Sequence, residues 1–196
     1  MFDKLGEELF VVFDCETTGL DFRCGNQIIE LAGQKIKNGE VIEEYHELIN
    51  PSVPVEEGAY RIHGISNLFL AENGGNAEEV FPKFAEFSKD TILVGHNILT
   101  FDVPFLNAEL NRVGHPSVNN MVIDTLVMAR KLLPHLPNHK LGTVATHFQV
   151  DPAGAHRAMV DVEMNKQVFL LMLKQYLDTL KLEETQRKAN QSGKLL

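Results

Sequence analysis

The chain has 196 residues, a length that fits one domain built on a single core. Apolar residues make up 44% and charged residues 23%, which excludes a disordered or collagen-like chain, and no stretch approaches the roughly 20 apolar residues of a membrane helix. Lys and Arg total 18 against 27 Asp and Glu, and the net charge of −9 opposes tight, nonspecific binding to a phosphate backbone.

Met1-Phe2-Asp3-Lys4 lacks the basic-then-apolar start of a signal sequence, so a cytoplasmic location and no membrane partner are expected. Cys15 lies in an apolar run and Cys24 in a Gly-containing loop, a pattern unlike a disulfide framework or a thiolate zinc site.

Leu9 to Phe13 is apolar, ends at Asp14 and precedes Thr17-Thr18-Gly19, which predicts a buried central strand leading into a turn. Ile28 to Lys37 and Val41 to Ile49 flank Asn38-Gly39, a two-residue hairpin signal, so the first three strands form a meander. After Pro51 and Pro54 short helices are expected near Glu56 to Arg61 and after Ser66, followed by Ala77 to Phe87, where Pro82 conflicts with the helical spacing. Thr91 to Val94 predicts a fourth strand and Thr100 to Val113 a helix closed by Gly114. Met121 to Ile123 predicts a fifth strand with Asp124 at its end and a helix to Leu133 behind it.

Lys140 to Phe148 reads as a short helix, and Asp151-Pro152-Ala153-Gly154 breaks the chain before a long helix from Ala158 to Leu182. Val162, Phe169, Leu173, Tyr176, Leu177 and Leu180 form its apolar stripe. The expected organisation is one domain over residues 1–182 and a polar tail, 183–196, free to fray. The order of elements predicts an α/β fold, a mixed five-stranded sheet with helices on both faces.

Asp14 and Glu16 are two apart at the end of a strand, so both side chains leave one face while Cys15 points to the other. Two adjacent carboxylates repel unless a cation neutralises them, although a solvated strand end is the simpler alternative. Asp102 adds a third acid at a helix start, where capping is the competing role. Asp161 follows His156 by five residues, roughly 500° of helical rotation, which places His156 on the loop after Gly154 and Asp161 in the first turns of the helix. Oxygen ligands from separate elements are what two-metal phosphoryl chemistry needs, with Mg²⁺ or Mn²⁺ as the ions and His156 taking the proton of the attacking water. Such ions also supply the positive charge that the acidic chain lacks.

Phe13-Asp14-Cys15-Glu16-Thr17-Thr18-Gly19-Leu20, Ile62-His63-Gly64-Ile65-Ser66, Gly95-His96-Asn97 with Phe101-Asp102, and His156-Arg157-Ala158-Met159-Val160-Asp161 resemble the ordered motifs of DEDDh exonucleases. The resemblance spans about Leu9 to Leu173 and implies a ribonuclease-H-like fold. It implies that Asp14, Glu16, Asp102 and Asp161 hold two divalent ions, that His156 is the general base, and that Thr17, Thr18 and Gly19 meet the terminal nucleotide. It also implies that Ile65, beside His63, acts as an apolar wedge against the terminal base. Asn97 and Phe101 are expected to line the cleft. Asp124 matches a recurrent family position where capping and metal binding both remain open, and His96 is either a support of the site or a core residue.

The expected activity is 3′-to-5′ hydrolysis at single-stranded or frayed ends, with release of nucleoside 5′-monophosphates and DNA favoured over RNA. RNA trimming, degradation of short oligonucleotides and a non-catalytic nucleic-acid-binding module are the alternatives. A polymerase or a second copy of the chain is the candidate protein partner.

Overall fold

The computed structural model describes residues 8–192, and among these no helix is long and apolar enough to cross a membrane. Five strands, β1 (Leu9–Thr17), β2 (Ile28–Lys37), β3 (Glu40–Leu48), β4 (Ile92–Gly95) and β5 (Val122–Asp124), form one mixed sheet in the order β3-β2-β1-β4-β5. Strands β1 to β3 are the expected antiparallel meander, while β4 and β5 run parallel to β1. Asn38 and Gly39 both have positive φ, 54° and 83°, the backbone that a two-residue hairpin matching the strand twist requires.

Strand β1 separates two cores because its side chains alternate. Val11, Phe13 and Cys15 pack with Phe81 and Phe84 of α3 (Ala77–Phe87) and Phe105 of α4 (Asp102–Arg112). Phe10 and Val12 pack on the other face against Val162 and Phe169 of a long helix that follows α5 (Thr125–Leu132) and α6 (Leu141–His147). Two shorter helices, Glu57–His63 and Asn67–Asn73, are α1 and α2, and the long helix is α7 (Ala158–Ser192). Helix α3 continues through Pro82, where burial of Phe81, Phe84 and Phe87 offsets the lost backbone hydrogen bond.

Three expectations change. Strand β1 runs past Asp14 to Thr17 because β2 keeps pairing with it through Glu16↔Glu30, so both acids stand on regular strand. Helix α7 passes Leu182 and continues to Ser192, since residues 183 to 192 include good helix formers and neither Gly nor Pro. Residues 1–7 and 193–196, to which the expectations about the opening segment and the end of the tail refer, lie outside the described residues. The core stripe of α7 is also shorter than its sequence suggests: Val162 and Phe169 are fully buried, whereas Leu173, Tyr176, Leu177 and Leu180 are only partly covered.

The two ends of α7 should therefore respond differently to truncation of an apolar side chain. Phe169→Ala, which removes a ring packed edge-on to Phe10 at 5.3 Å, is expected to cost about 3–5 kcal/mol in urea unfolding. Leu182→Ala, at an exposed position, is expected to change stability by less than about 0.5 kcal/mol.

Candidate active site

Because β1, β4 and β5 are parallel, their carboxyl ends lie along one edge of the sheet, and the candidate acids gather there. Asp14 and Glu16 leave β1 on the α7 side, as the strand period requires, and Asp161 comes from the first turn of α7. One carboxylate oxygen from each of these three residues lies within 4.8 Å of the others. Asp102, at the start of α4, adjoins them from outside that trio. Its Oδ1 accepts hydrogen bonds from the backbone N–H of Cys15 at 3.2 Å and from the Cys15 thiol at 3.3 Å.

So much negative charge in a half-enclosed place is held down by protonation when no cation is present. Burial, then repulsion from Asp102, Asp161 and Glu16, raises Asp14 well above the ordinary carboxylate range. Burial and the neighbouring Asp161 and Glu30 push Glu16 up to about 8. Burial takes Asp102 up to about 7 against the opposing hydrogen bonds from Cys15. Asp161 is also raised by burial, although backbone N–H groups of His156 and Arg157 resist the shift. A trio of carboxylate oxygens with a fourth acid beside it fits hard divalent cations, which prefer oxygen donors. Among the described residues it is the one group of three such side chains that meets this closely.

His156 lies in the loop before α7, as its spacing from Asp161 predicts, and its side chain is exposed. Its φ of 71° is left-handed, a conformation costing a non-glycine residue on the order of 1 kcal/mol or more. The Asp161 carboxylate holds that backbone by accepting the His156 N–H at 2.7 Å. The next residue is fixed as well: Arg157 donates to the fully buried carboxylate of Glu30 at 2.9 and 3.2 Å, and the Ala158 N–H donates to it at 3.1 Å. Burial raises the pKa of Glu30, but hydrogen bonds from Arg157, His46 and Ala158 outweigh it and hold the carboxyl below its usual value. The reading from sequence did not single out Glu30, although a lone acid within Ile28-Ile29-Glu30-Leu31-Ala32 was an available signal.

Several residues expected to touch substrate are turned inward. The Thr17 hydroxyl donates to the Gly19 carbonyl at 2.6 Å; that of Thr18 donates to Asn26 Oδ1 at 3.1 Å and accepts from the Gln27 N–H at 2.9 Å. These side chains build the turn, whereas Leu20, at its tip, is 78% exposed. A Cβ at Gly19 would meet the side-chain ends of Asn26 and Glu56 at 2.5 Å, so a larger residue there would displace those two side chains. His63 is buried and its Nδ1 accepts the Ile65 N–H at 3.0 Å. Ile65 is 3% exposed in a small cluster with Ile29 and Leu70, so the wedge expectation is corrected to a packing role. The aliphatic side chain that α1 does expose nearby is Ile62.

On the β4 side, Asn97 is exposed with φ 66°, and Phe101 is half-buried against Phe105 at 4.9 Å, so both can border a cleft. Asp124 caps α5 through the Leu126 and Val127 N–H groups and also accepts from those of Asn97 and Leu99. This is the capping alternative, and it pins the loop that leads to Asp102. His96 is a brace: its Nε2 donates to the His139 carbonyl at 2.8 Å and its Nδ1 lies 3.0 Å from the Thr125 hydroxyl.

The fold is thus a mixed five-stranded α/β sheet with Asp14, Glu16 and Asp161 meeting at one edge and Asp102 beside them. The RNase T exonuclease family model matches residues 11–169, and the chain belongs to that family. Its relatives include the PolC-type DNA polymerase III of Bacillus cereus, 38% identical over 174 residues, 89% of this chain and 12% of that protein. The PolC-type enzyme of Streptococcus pneumoniae is 39% identical over 171 residues, 87% of this chain and 12% of its own. The chain thus spans about an eighth of the curated relatives it matches. Among solved structures, the zinc-bound complex of E. coli Exonuclease I with single-stranded DNA superposes with a TM-score of 0.78 at 21% identity, covering 88% of this chain and 43% of that one. Exonuclease I with a dA16 oligonucleotide gives 0.75 at 20% identity, covering 85% and 40%. These likenesses establish the fold.

The raised carboxyl groups carry a consequence for stability. Between the unfolded pKa values near 4 and the folded values of about 7 and about 8, the native protein holds protons that the unfolded chain has lost. Stability of the metal-free protein is therefore full below about pH 4 as far as these groups are concerned, and declines as pH rises toward about 8. Thermal unfolding in chelator across that range should show the decline, and Glu16→Gln should flatten it.

Proposed function

We propose that this nuclease is a metal-dependent 3′-to-5′ exonuclease that releases nucleoside 5′-monophosphates, with DNA as the favoured substrate. The observation that carries the proposal is the meeting of Asp14, Glu16 and Asp161 within 4.8 Å, with Asp102 beside them and His156 on a loop tied to Asp161. In this reading Asp14, Glu16, Asp102 and Asp161 hold two divalent ions, Mg²⁺ or Mn²⁺. Bound ions supply Lewis-acid charge at the phosphate and favour ionisation of water.

The chain's own residues do the rest. The His156 imidazole takes a proton from the attacking water, whose oxygen bonds to phosphorus as the bond to the 3′ oxygen of the preceding nucleotide breaks. That oxygen collects a proton from solvent, the terminal nucleotide leaves as its 5′-monophosphate, and the strand is one residue shorter. The four carboxylates would hold the ions that face the phosphate, Asp161 and the Glu30–Arg157 pair hold the His156 segment in place, and the turn at Gly19 brings backbone and the exposed Leu20 to the terminal nucleotide. A single-stranded or frayed 3′ end is the proposed partner, and the relationship to PolC-type polymerases supports action beside a polymerase.

Two outcomes check the reading. Hydrolysis of a 5′-labelled oligonucleotide should require Mg²⁺ or Mn²⁺ and stop in excess chelator, and Asp14→Ala with Glu16→Ala should abolish it in a folded protein; undiminished turnover by either route rejects the metal role. His156→Ala should bind the oligonucleotide as the parent does but lower the single-turnover rate by about 10² to 10⁴. A parental rate at neutral pH would assign proton removal elsewhere.

A further inference from the structure

A strand crossing a protein of net charge −9 needs cations along its path, and many basic side chains are already committed. Lys35 pairs with Glu43, Arg112 with Glu109, Arg157 with Glu30 and Lys166 with Glu163. Arg130 of α5 and Lys140, just before α6, form no ion pair among the described residues; both line one cavity, and Lys140 also lines another that reaches His156 and Asp161.

The two cavities, about 760 and about 640 Å³, share Lys140 and Leu141 in their walls, and the two together are termed the groove. The first is bordered by His156 and Asp161 and continues along α6; the second extends past Arg130 to Asn97. The segment carrying Lys140 is fixed at several points. His96 Nε2 donates to the His139 carbonyl at 2.8 Å, and His139 Nε2 donates to that of Leu133 at 2.9 Å. Asn138 Oδ1 accepts the Lys140 N–H at 3.1 Å and the Thr143 hydroxyl at 2.8 Å. His96, a motif residue with no direct part in the proposed chemistry, thereby links the end of β4 to the groove wall.

We propose that this groove carries the substrate strand on the 5′ side of the scissile phosphate, with Lys140 and Arg130 each meeting a backbone phosphate and Leu141 giving an apolar surface to a sugar or base. The proposal rests on the exonuclease reading above and names the strand-binding surface of the same site. The charge pattern suits it: acids stand where the phosphate is cut and uncommitted cations flank the approach. Binding through two phosphates is a length-dependent grip that a mononucleotide cannot use.

The test compares two substrates, an oligothymidylate about a dozen nucleotides long and the p-nitrophenyl ester of thymidine 5′-monophosphate, each in Mg²⁺ over a range of salt. For the double variant Arg130→Ala with Lys140→Ala, kcat/KM on the oligonucleotide should fall about tenfold more than on the ester. The slope of log kcat/KM against log salt should shrink by about 1.4, the contribution of two single-strand phosphates. The exchange Arg130→Lys with Lys140→Arg keeps both charges and should retain the parental slope. Equal losses on the two substrates, an unchanged slope, or a charge-keeping variant as impaired as the alanine variant would each overturn the groove assignment. A parent protein that cleaves neither substrate would instead overturn the exonuclease reading beneath it.

Discussion

Like charge at close range governs this molecule. Three carboxylates with oxygens within 4.8 Å of one another, and a fourth acid hydrogen-bonded to Cys15 beside them, cannot all ionise in a half-enclosed site without a counter-charge. Burial lifts Glu16 to about 8 and Asp102 to about 7, and for Glu16 the charges of Asp161 and Glu30 add to the effect. A fold concerned with stability alone gains nothing from such an arrangement, so the surrounding structure has to hold the acids in place against their repulsion.

That restraint comes from groups far apart in the chain. Glu30 on β2 is wholly buried yet stays below its usual pKa because Arg157, His46 and the Ala158 N–H converge on it. It thus fixes the start of α7, which carries Asp161, and the segment next to His156. Asp124 does the corresponding work on the other side, spending its carboxylate on the backbone of Asn97 and Leu99 in the loop before Asp102. Acids at the rim of the site therefore differ in how many donors reach them: Glu30 and Asp124 each accept from several and shape the site, whereas the proposed metal ligands Asp102 and Asp161 accept from fewer and keep oxygen free.

The net charge of −9 acquires a local meaning in the same way. An acidic protein can act on nucleic acid when positive charge is concentrated at the reacting phosphate and along a short approach, because interactions between exposed charges are screened within about a Debye length. Distant surface acids such as those on β3 would then have little influence on a strand in the proposed groove between α5, α6 and the His156 loop.

The amino-acid sequence by itself determined the elements and much of their order. The alternation from Leu9 to Glu16 assigns Cys15 to one face and both acids to the other, Asn38-Gly39 forces the hairpin, and the five-residue spacing keeps His156 off the helix that bears Asp161. These are local properties, set by backbone geometry over a few residues. Tertiary structure alone decided which side chains face outward. The family resemblance implies substrate contact for Thr17, Thr18, His63 and Ile65, yet Thr17 and His63 are engaged by residues two positions away, Thr18 by Asn26 and Gln27 across its loop, and Ile65 by packing on Ile29 of β2, which leaves Leu20 and Ile62 exposed. The role of Glu30 was hidden for the same reason: its partners lie on β3 and at the start of α7, and only the packing of α7 onto the sheet brings them to one carboxylate.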